Sequence, residues 1–213
     1  MRQGSLGNWL YSISQWVAWA MYLHLLWVLF VLAGLVVFGL APATAALFSV
    51  VRKWIMHETD MPIFKTFVNT FKSTFLETNL LGGVYLFIGV FLYFDLHISL
   101  TQIESFFLHL FLILLCCIYI ITVLFSIPVY VHYRLRKFSY LKQAFLIALA
   151  RPLEALAMVV SLLVLFYIFR FIPVFLFFVG STIVSYLLMW IGIHAFEKIE
   201  QKARINIPYK ERS

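Results

Sequence analysis

The chain has 213 residues, of which 64% are hydrophobic, 19% aromatic and only 12% charged, with a formal net charge of +7. Soluble domains carry about a quarter charged residues, and a chain of this length cannot hide so much Phe, Leu, Ile and Val from water. A water-soluble globule is excluded, and continuous apolar runs without period-two alternation exclude an outer-membrane barrel. The cations lie at the ends of apolar runs, where they meet lipid headgroups, so the charge is not a nucleic-acid signal.

Trp16 to Val51 carries no Asp, Glu, Lys or Arg. As one straight helix it would be about 54 Å long against a hydrocarbon core of about 30 Å, so it must break. Pro42, which lacks an amide hydrogen, is the expected break, loosened by Gly39, giving a first span over about 16–40. The small residues of "APATA" also suit a signal-peptide cleavage site. The apolar region before them is far longer than the usual ~7–15 residues, however, and only Arg2 precedes it, which disfavours cleavage. Beyond Pro42 a helix over about 42–54 is expected to pack on protein, because Ala41, Ala45 and Ser49 make a small-xxx-small face. Arg52, Lys53 and Trp54 hold its far end at the headgroups.

"DMPIFKTFVNTFKSTFLETN" predicts an amphipathic helix over about 61–77. Phe64, Phe67, Val68, Phe71 and Phe75 form its stripe, with Lys65, Asn69 and Lys72 opposite. Spans follow over about 80–96 and 105–131. A second amphipathic helix is expected over about 139–150, capped by Ser139 and striped by Leu141, Phe145 and Leu149. The last two spans, about 152–169 and 172–196, start at Pro152 and beyond the tight Arg170–Phe171 connection. The reading is a single all-α membrane domain over 1–213, with five transmembrane helices plus cytoplasmic amphipathic helices.

Five crossings put every Lys and Arg except Arg2 and Arg170 on one side, which the positive-inside rule makes cytoplasmic. The N-terminus is then outside and the C-terminus inside. In this orientation His24, Asp95, His97, Glu104, His109 and Arg170 fall towards the outer side. They are either interfacial anchors or the lining of an outward-facing polar pocket for a small solute. The amphipathic helices are either lipid-surface anchors or a docking surface for another protein. A shift of 77 positions superposes Lys65 on Lys142, Leu76 on Leu153 and Glu77 on Glu154, a weak internal repeat of the kind found in transport proteins. The adjacent Cys116 and Cys117 read as packing residues. No HExxH, GxSxG or phosphate-binding loop occurs, so no enzyme, metal or cofactor is expected.

The stretch "LLWVLFVLAGLVVFGLAPATAALFSVVRKW", followed by "FKTFVNTFKSTFLETNLLGG", resembles the YesL family of bacterial integral membrane proteins. The pattern "LW…G…FGLAPAT…RKW" is its most specific part. The resemblance covers the first 83 residues well, and length and span pattern agree over the rest. It implies a multi-pass protein of the cell membrane, typical of Gram-positive bacteria. Family members are often encoded beside binding-protein-dependent sugar importers, sensor kinases and glycan-degrading enzymes. The implied role is an accessory or assembly subunit of a carbohydrate ABC-type importer. Arg52, Lys53, Lys65 and Lys72, with Arg134, Arg136 and Lys137, are the expected contacts, although orienting the spans by charge needs no partner. The alternative is a small-solute transporter or sensor built on the outer polar cluster.

Overall fold

The computed structural model describes residues 3–58, 60–103, 105–133, 135 and 139–205, with the side chains of 3–8, 10 and 202–205 left aside. Among the described residues all regular structure is helical: α1 Gln3–Ala33, α2 Val37–Ile55, α3 Ile63–Gln102, α4 Phe106–His132, α5 Ser139–Ala150, α6 Pro152–Phe171 and α7 Pro173–Ile205. Five helical stretches are long and apolar enough to cross a membrane: Tyr11–Ala33, Ile63–Gln102, Phe106–His132, Pro152–Phe171 and Pro173–Gln201. Large side chains such as Phe87, Phe107, Phe171 and Phe177 stand exposed on them. In water these would be patches of aggregation; in a bilayer they are the solvated surface. The chain is a multi-pass helical membrane protein in contact with lipid.

The fold groups into two compact units, Met1–Leu80 with Ser161–Leu187 and Leu81–Val160 with Leu188–Ser213. In the first unit, α1 and α2 form an antiparallel hairpin. Trp19 stacks on Trp54 with ring centroids 6.5 Å apart, and Trp27 Nε1 donates to Thr44 Oγ1 at 3.2 Å. Gly34 meets Gly39 at the closed end, where a Cβ on Gly34 would lie 2.3 Å from the Gly39 Cα. The α2 helix is the most enclosed element, with Ala43, Ala45, Ala46, Leu47, Val50 and Val51 all at or below 1% exposure. Its small residues let the backbones approach, and it packs on protein as the small-xxx-small face suggests.

The first span does not reach Leu40 and Pro42 does not end it. The helix stops at Ala33 in a Schellman closure: Leu35 N–H donates to Leu32 O at 3.0 Å and Val36 N–H to Val31 O at 2.9 Å. Leu35 occupies the left-handed position usually held by glycine, at φ 57°. Pro42 instead sits inside α2. A proline there leaves the carbonyl four residues back without its donor. That carbonyl belongs to Phe38, and Asn79 Nδ2 of α3 donates to it at 2.9 Å. The orphaned acceptor is thus the point where α3 is tied to α2. The α2 helix ends in a second Schellman closure, Glu58 N–H to Lys53 O at 2.9 Å, with His57 at φ 61°.

The amphipathic stretch and the second span are not separate elements. They form the single 40-residue helix α3, about 60 Å long. The polar run that suggested a boundary bonds back into the helix: Thr78 Oγ1 donates to Thr74 O at 2.9 Å and Asn79 Nδ2 to Phe75 O at 2.8 Å. The start of α3 lies antiparallel on α2, with Thr70 Oγ1 donating to Ser49 Oγ at 3.5 Å. The middle of its aromatic stripe packs on α1. Phe67 is fully buried, with its ring 5.3 Å from Phe30, and Phe71 lies 4.9 Å from the same ring. Phe64 remains exposed.

In the second unit, Tyr119 Oη of α4 donates to Tyr85 O of α3 at 2.6 Å. The short helix α5 packs on α4 through Tyr140, whose ring lies 4.7 Å from Tyr130 and whose hydroxyl accepts from Leu135 N–H at 3.1 Å. The buried face of α5 is Tyr140, Ala144, Ile147 and Ala148. The stripe of Leu141, Phe145 and Leu149 is not the face that packs on α4, since Phe145 and Leu149 are exposed; small Ala144 and Ala148 admit that close approach. Pro152 opens α6 directly after Arg151, separating it from α5. At the corresponding point of the repeat stands Phe75, and α3 runs on unbroken. Glu154 thus lies in a first helical turn and Glu77 within a helix, so the two copies differ structurally.

Two outcomes follow from this packing. Asn79→Ala should lower unfolding stability by about 1–3 kcal/mol, the cost of leaving an acceptor unpaired. The loss should shrink in a Pro42→Ala background, where residue 42 regains an amide for Phe38 O; a double-mutant cycle in detergent measures the coupling. Gly39→Ala should depress the thermal midpoint by several degrees, because its Cβ would lie 2.5 Å from Val31 O. Gly83→Ala, with nothing within 4 Å of the added methyl, should leave the midpoint unchanged or raise it.

Candidate functional site

The ionisable residues near the spans do not share one constellation. His24 and Arg170 belong to the first unit and Asp95, His97 and His109 to the second, while Glu104 lies outside the described residues. His24 is 8% exposed on the face of α1 that also carries Ala20 and Leu23. Its Nδ1 accepts from Ser181 Oγ at 2.7 Å and from Ser181 N–H at 3.3 Å on α7. An amide can only donate, so the proton of the neutral ring sits on Nε2. One turn away Thr182 Oγ1 donates to Ala20 O at 2.9 Å, and Ser185 Oγ caps Thr182 O at 2.9 Å. Arg170 stands exposed in the last turn of α6, and among the described residues no ion pair or hydrogen bond joins it to His24.

In the second unit His97 is exposed and stacked on Tyr93, with centroids 6.2 Å apart and planes 8° from parallel. His109 Nε2 donates to Ser99 O at 2.7 Å. Asp95 is half-buried. Each histidine is thus occupied by its own local partner. Among the described residues no three of His, Cys, Asp and Glu converge as metal ligands.

Sequence reading missed Ser181, Thr182 and Ser185, the α7 partners of His24. The available signal was "GSTIVS", a small and hydroxyl-bearing patch inside an apolar run, the composition that holds membrane helices together. It also missed an ionic knot in the second unit. Glu154 accepts from Lys198 Nζ at 2.9 Å and has Arg151 at 3.9 Å. Nearby Tyr133 Oη donates to Glu200 Oε1 at 3.3 Å, with His132 Nε2 at 3.8 Å. Burial, then the Glu200 carboxylate, pushes the Tyr133 phenol up to about 12, so it remains a donor through the neutral range. The Phe196 ring, fully buried, backs both His132 and Tyr133.

Of the expected contact cations, Lys65 and Lys72 are exposed on α3, and Arg52 and Lys53 are half-buried in the last turn of α2. Arg134, Arg136 and Lys137 lie outside the described residues. A groove of about 340 Å³ in the first unit is walled by apolar side chains, among them Trp16, Met21, Phe175 and Phe178. It suits hydrocarbon rather than a polar solute.

Residues 20–96 match the family described as "Protein of unknown function, DUF624". The uncharacterized protein YteU of Bacillus subtilis (strain 168) is 37% identical over 201 residues, covering 93% of this chain and 89% of the relative. YesL of the same organism is 34% identical over 198 residues, covering 93% and 94%, and YesV is 34% identical over 193 residues, covering 90% and 93%. No solved structure matches. Identity at this level along nearly the whole of each partner places the chain in the YesL-like family of membrane proteins.

Proposed function

We propose that the protein is an accessory or assembly subunit of a carbohydrate ABC-type importer in the cell membrane, acting through its cytoplasmic helices. The observation that carries this reading is the start of α3. Phe67 and Phe71 of its aromatic stripe already pack on Phe30 of α1, so less of that stripe is left for lipid-surface anchoring. What it presents is the opposite face, with Lys65, Asn69 and Lys72 exposed on a continuous helix. A rigid cationic face suits docking to an acidic partner surface. Arg52 and Lys53, at the end of α2, extend it. The resemblance to proteins encoded beside sugar importers supplies the kind of partner. The cation distribution supports a cytoplasmic position for the α2–α3 and α4–α6 connections and for the segment after α7. No catalytic role is assigned.

The alternative, a small-solute transporter or sensor, asks for an open polar cavity. His24 and His109 are each engaged with helix partners, and the groove beside α1 is apolar, so that reading has less support.

Affinity purification of the full chain in mild detergent tests the proposal. Importer subunits should co-purify. Lys65→Glu with Lys72→Glu should reduce their recovery about tenfold or more at low salt, without moving the thermal midpoint. A clean homo-oligomer that takes up solute in liposomes would overturn the accessory reading.

A further inference from the structure

We infer that α1 and α2 enter and leave the membrane on the same face, so that the start of α1 lies on the side of Arg52 and Lys53. The five-span count treats Trp16 to Val51 as one crossing followed by a surface helix, which places the segment before α1 outside. Three observations in the first unit point the other way.

The first is the hairpin itself. Contacts pair Trp19 with Trp54, Trp27 with Thr44 and Gly34 with Gly39, so α2 returns along α1 to the level of Trp19. The cations that close α2 are carried back with it.

The second is the chemistry of the closed end. Leu35, Val36, Val37 and Phe38 are all more than half exposed, and no polar side chain stands between Phe30 and Pro42. Four amides of the turn also find carbonyls within the chain. The amides of Gly34, Leu35, Val36 and Val37 donate to Phe30 O, Leu32 O, Val31 O and Leu35 O at 3.1, 3.0, 2.9 and 2.7 Å. Phe38 O is supplied by Asn79. Turns in water are polar and partly bonded to solvent. An apolar turn with four amides bonded within the chain suits hydrocarbon. The occupant of this exposed apolar end is lipid acyl chain.

The third is register against α7. Trp16 contacts Tyr186 at 6.0 Å, Thr182 bonds Ala20 O and Ser181 bonds His24. As the number rises along α1 it falls along α7, so the two run antiparallel. Between them the chain crosses in α3, α4 and α6. If α1 made one net crossing, α7 would run parallel to it. A hairpin with no net crossing, followed by four spans, gives the antiparallel pair. The same assignment improves the charge bias, since Arg2 joins the basic side. Of the 16 Lys and Arg only Arg170 is then left opposite.

Single-cysteine labelling decides this. In a full chain carrying Cys116→Ser and Cys117→Ser, cysteines are placed singly at Ser5, Glu58 and Ile172 and treated with a membrane-impermeant maleimide in right-side-out spheroplasts. Ile172→Cys should label at once. Ser5→Cys and Glu58→Cys should label about tenfold more after permeabilisation than before. Gln3→Cys and His57→Cys replace any variant that elutes as aggregate. Labelling of Ser5→Cys or Gln3→Cys from outside, with Glu58→Cys or His57→Cys protected, would restore the single crossing and overturn the inference.

Discussion

The structure turns on how a long uncharged segment folds back without exposing its backbone. Trp16 to Val51 is too long for one crossing, yet nothing in it can make a polar loop. The chain resolves this with a closed turn, a glycine contact and one borrowed donor. Leu35 and Val36 accept positive φ values of 57° and 65°, strained for residues with a Cβ. That strain accompanies a closure in which the amides of Gly34, Leu35, Val36 and Val37 find carbonyls within the chain. Pro42 removes one more donor, and Asn79 replaces it from another helix. Two helices, α2 and α3, are therefore joined at one carbonyl beside the turn that closes α1 on α2.

Burial follows from that junction. With α2 held between α1 and the start of α3, its alanines and valines become the interior of the first unit, and the Phe67–Phe71 stripe seals one side. Charges sort accordingly. In the second unit, Lys198 and Arg151 meet Glu154 and are spent on joining α6 to α7. Lys65 and Lys72 remain on the surface because their helix buries its other face. A truncation at Lys198 or Glu154 strips a partner from a nearly enclosed carboxylate or its cation, whereas a change at Lys65 alters only what the surface can meet.

Helical class, the positions of α4, α5 and α6, and the packed nature of α2 were legible in the sequence. Apolar run length, prolines at first helical positions and small-residue spacing are local signals. Three features were not legible, each for a stated physical reason. The stop after Ala33 was masked because its left-handed residue is Leu35, with glycine one position early, while Pro42 offered a stronger conventional breaker. Continuity of α3 was hidden because Thr78 and Asn79 are residues that usually mark boundaries, and only the structure shows them bonding to Thr74 and Phe75. The face of α5 that packs on α4 was hidden because a stripe of large side chains outweighed Ala144 and Ala148, although close packing on α4 favours the small ones. Of the polar residues singled out, His24 has its partner Ser181 more than 150 positions away, beyond any spacing argument.

An ionisable group in a membrane span is a functional candidate by default, because it is costly to place there. That default weakens when the group's bonding capacity is consumed by helix partners. His24 uses Nδ1 on Ser181, His109 donates to Ser99 O, and Glu154 is held by Lys198. Each removes a cost that the bilayer would otherwise impose, and each fixes the register of two helices. Uncommitted polar capacity lies instead on α3, where Lys65 and Lys72 face outward from a helix locked to the hairpin by Asn79 and Phe67. A surface held in place by buried contacts loses little conformational entropy on meeting a partner. The physical case for an interaction role thus rests on the same junction that folds the hairpin: the residues that close the turn also stiffen the helix that carries the free charge.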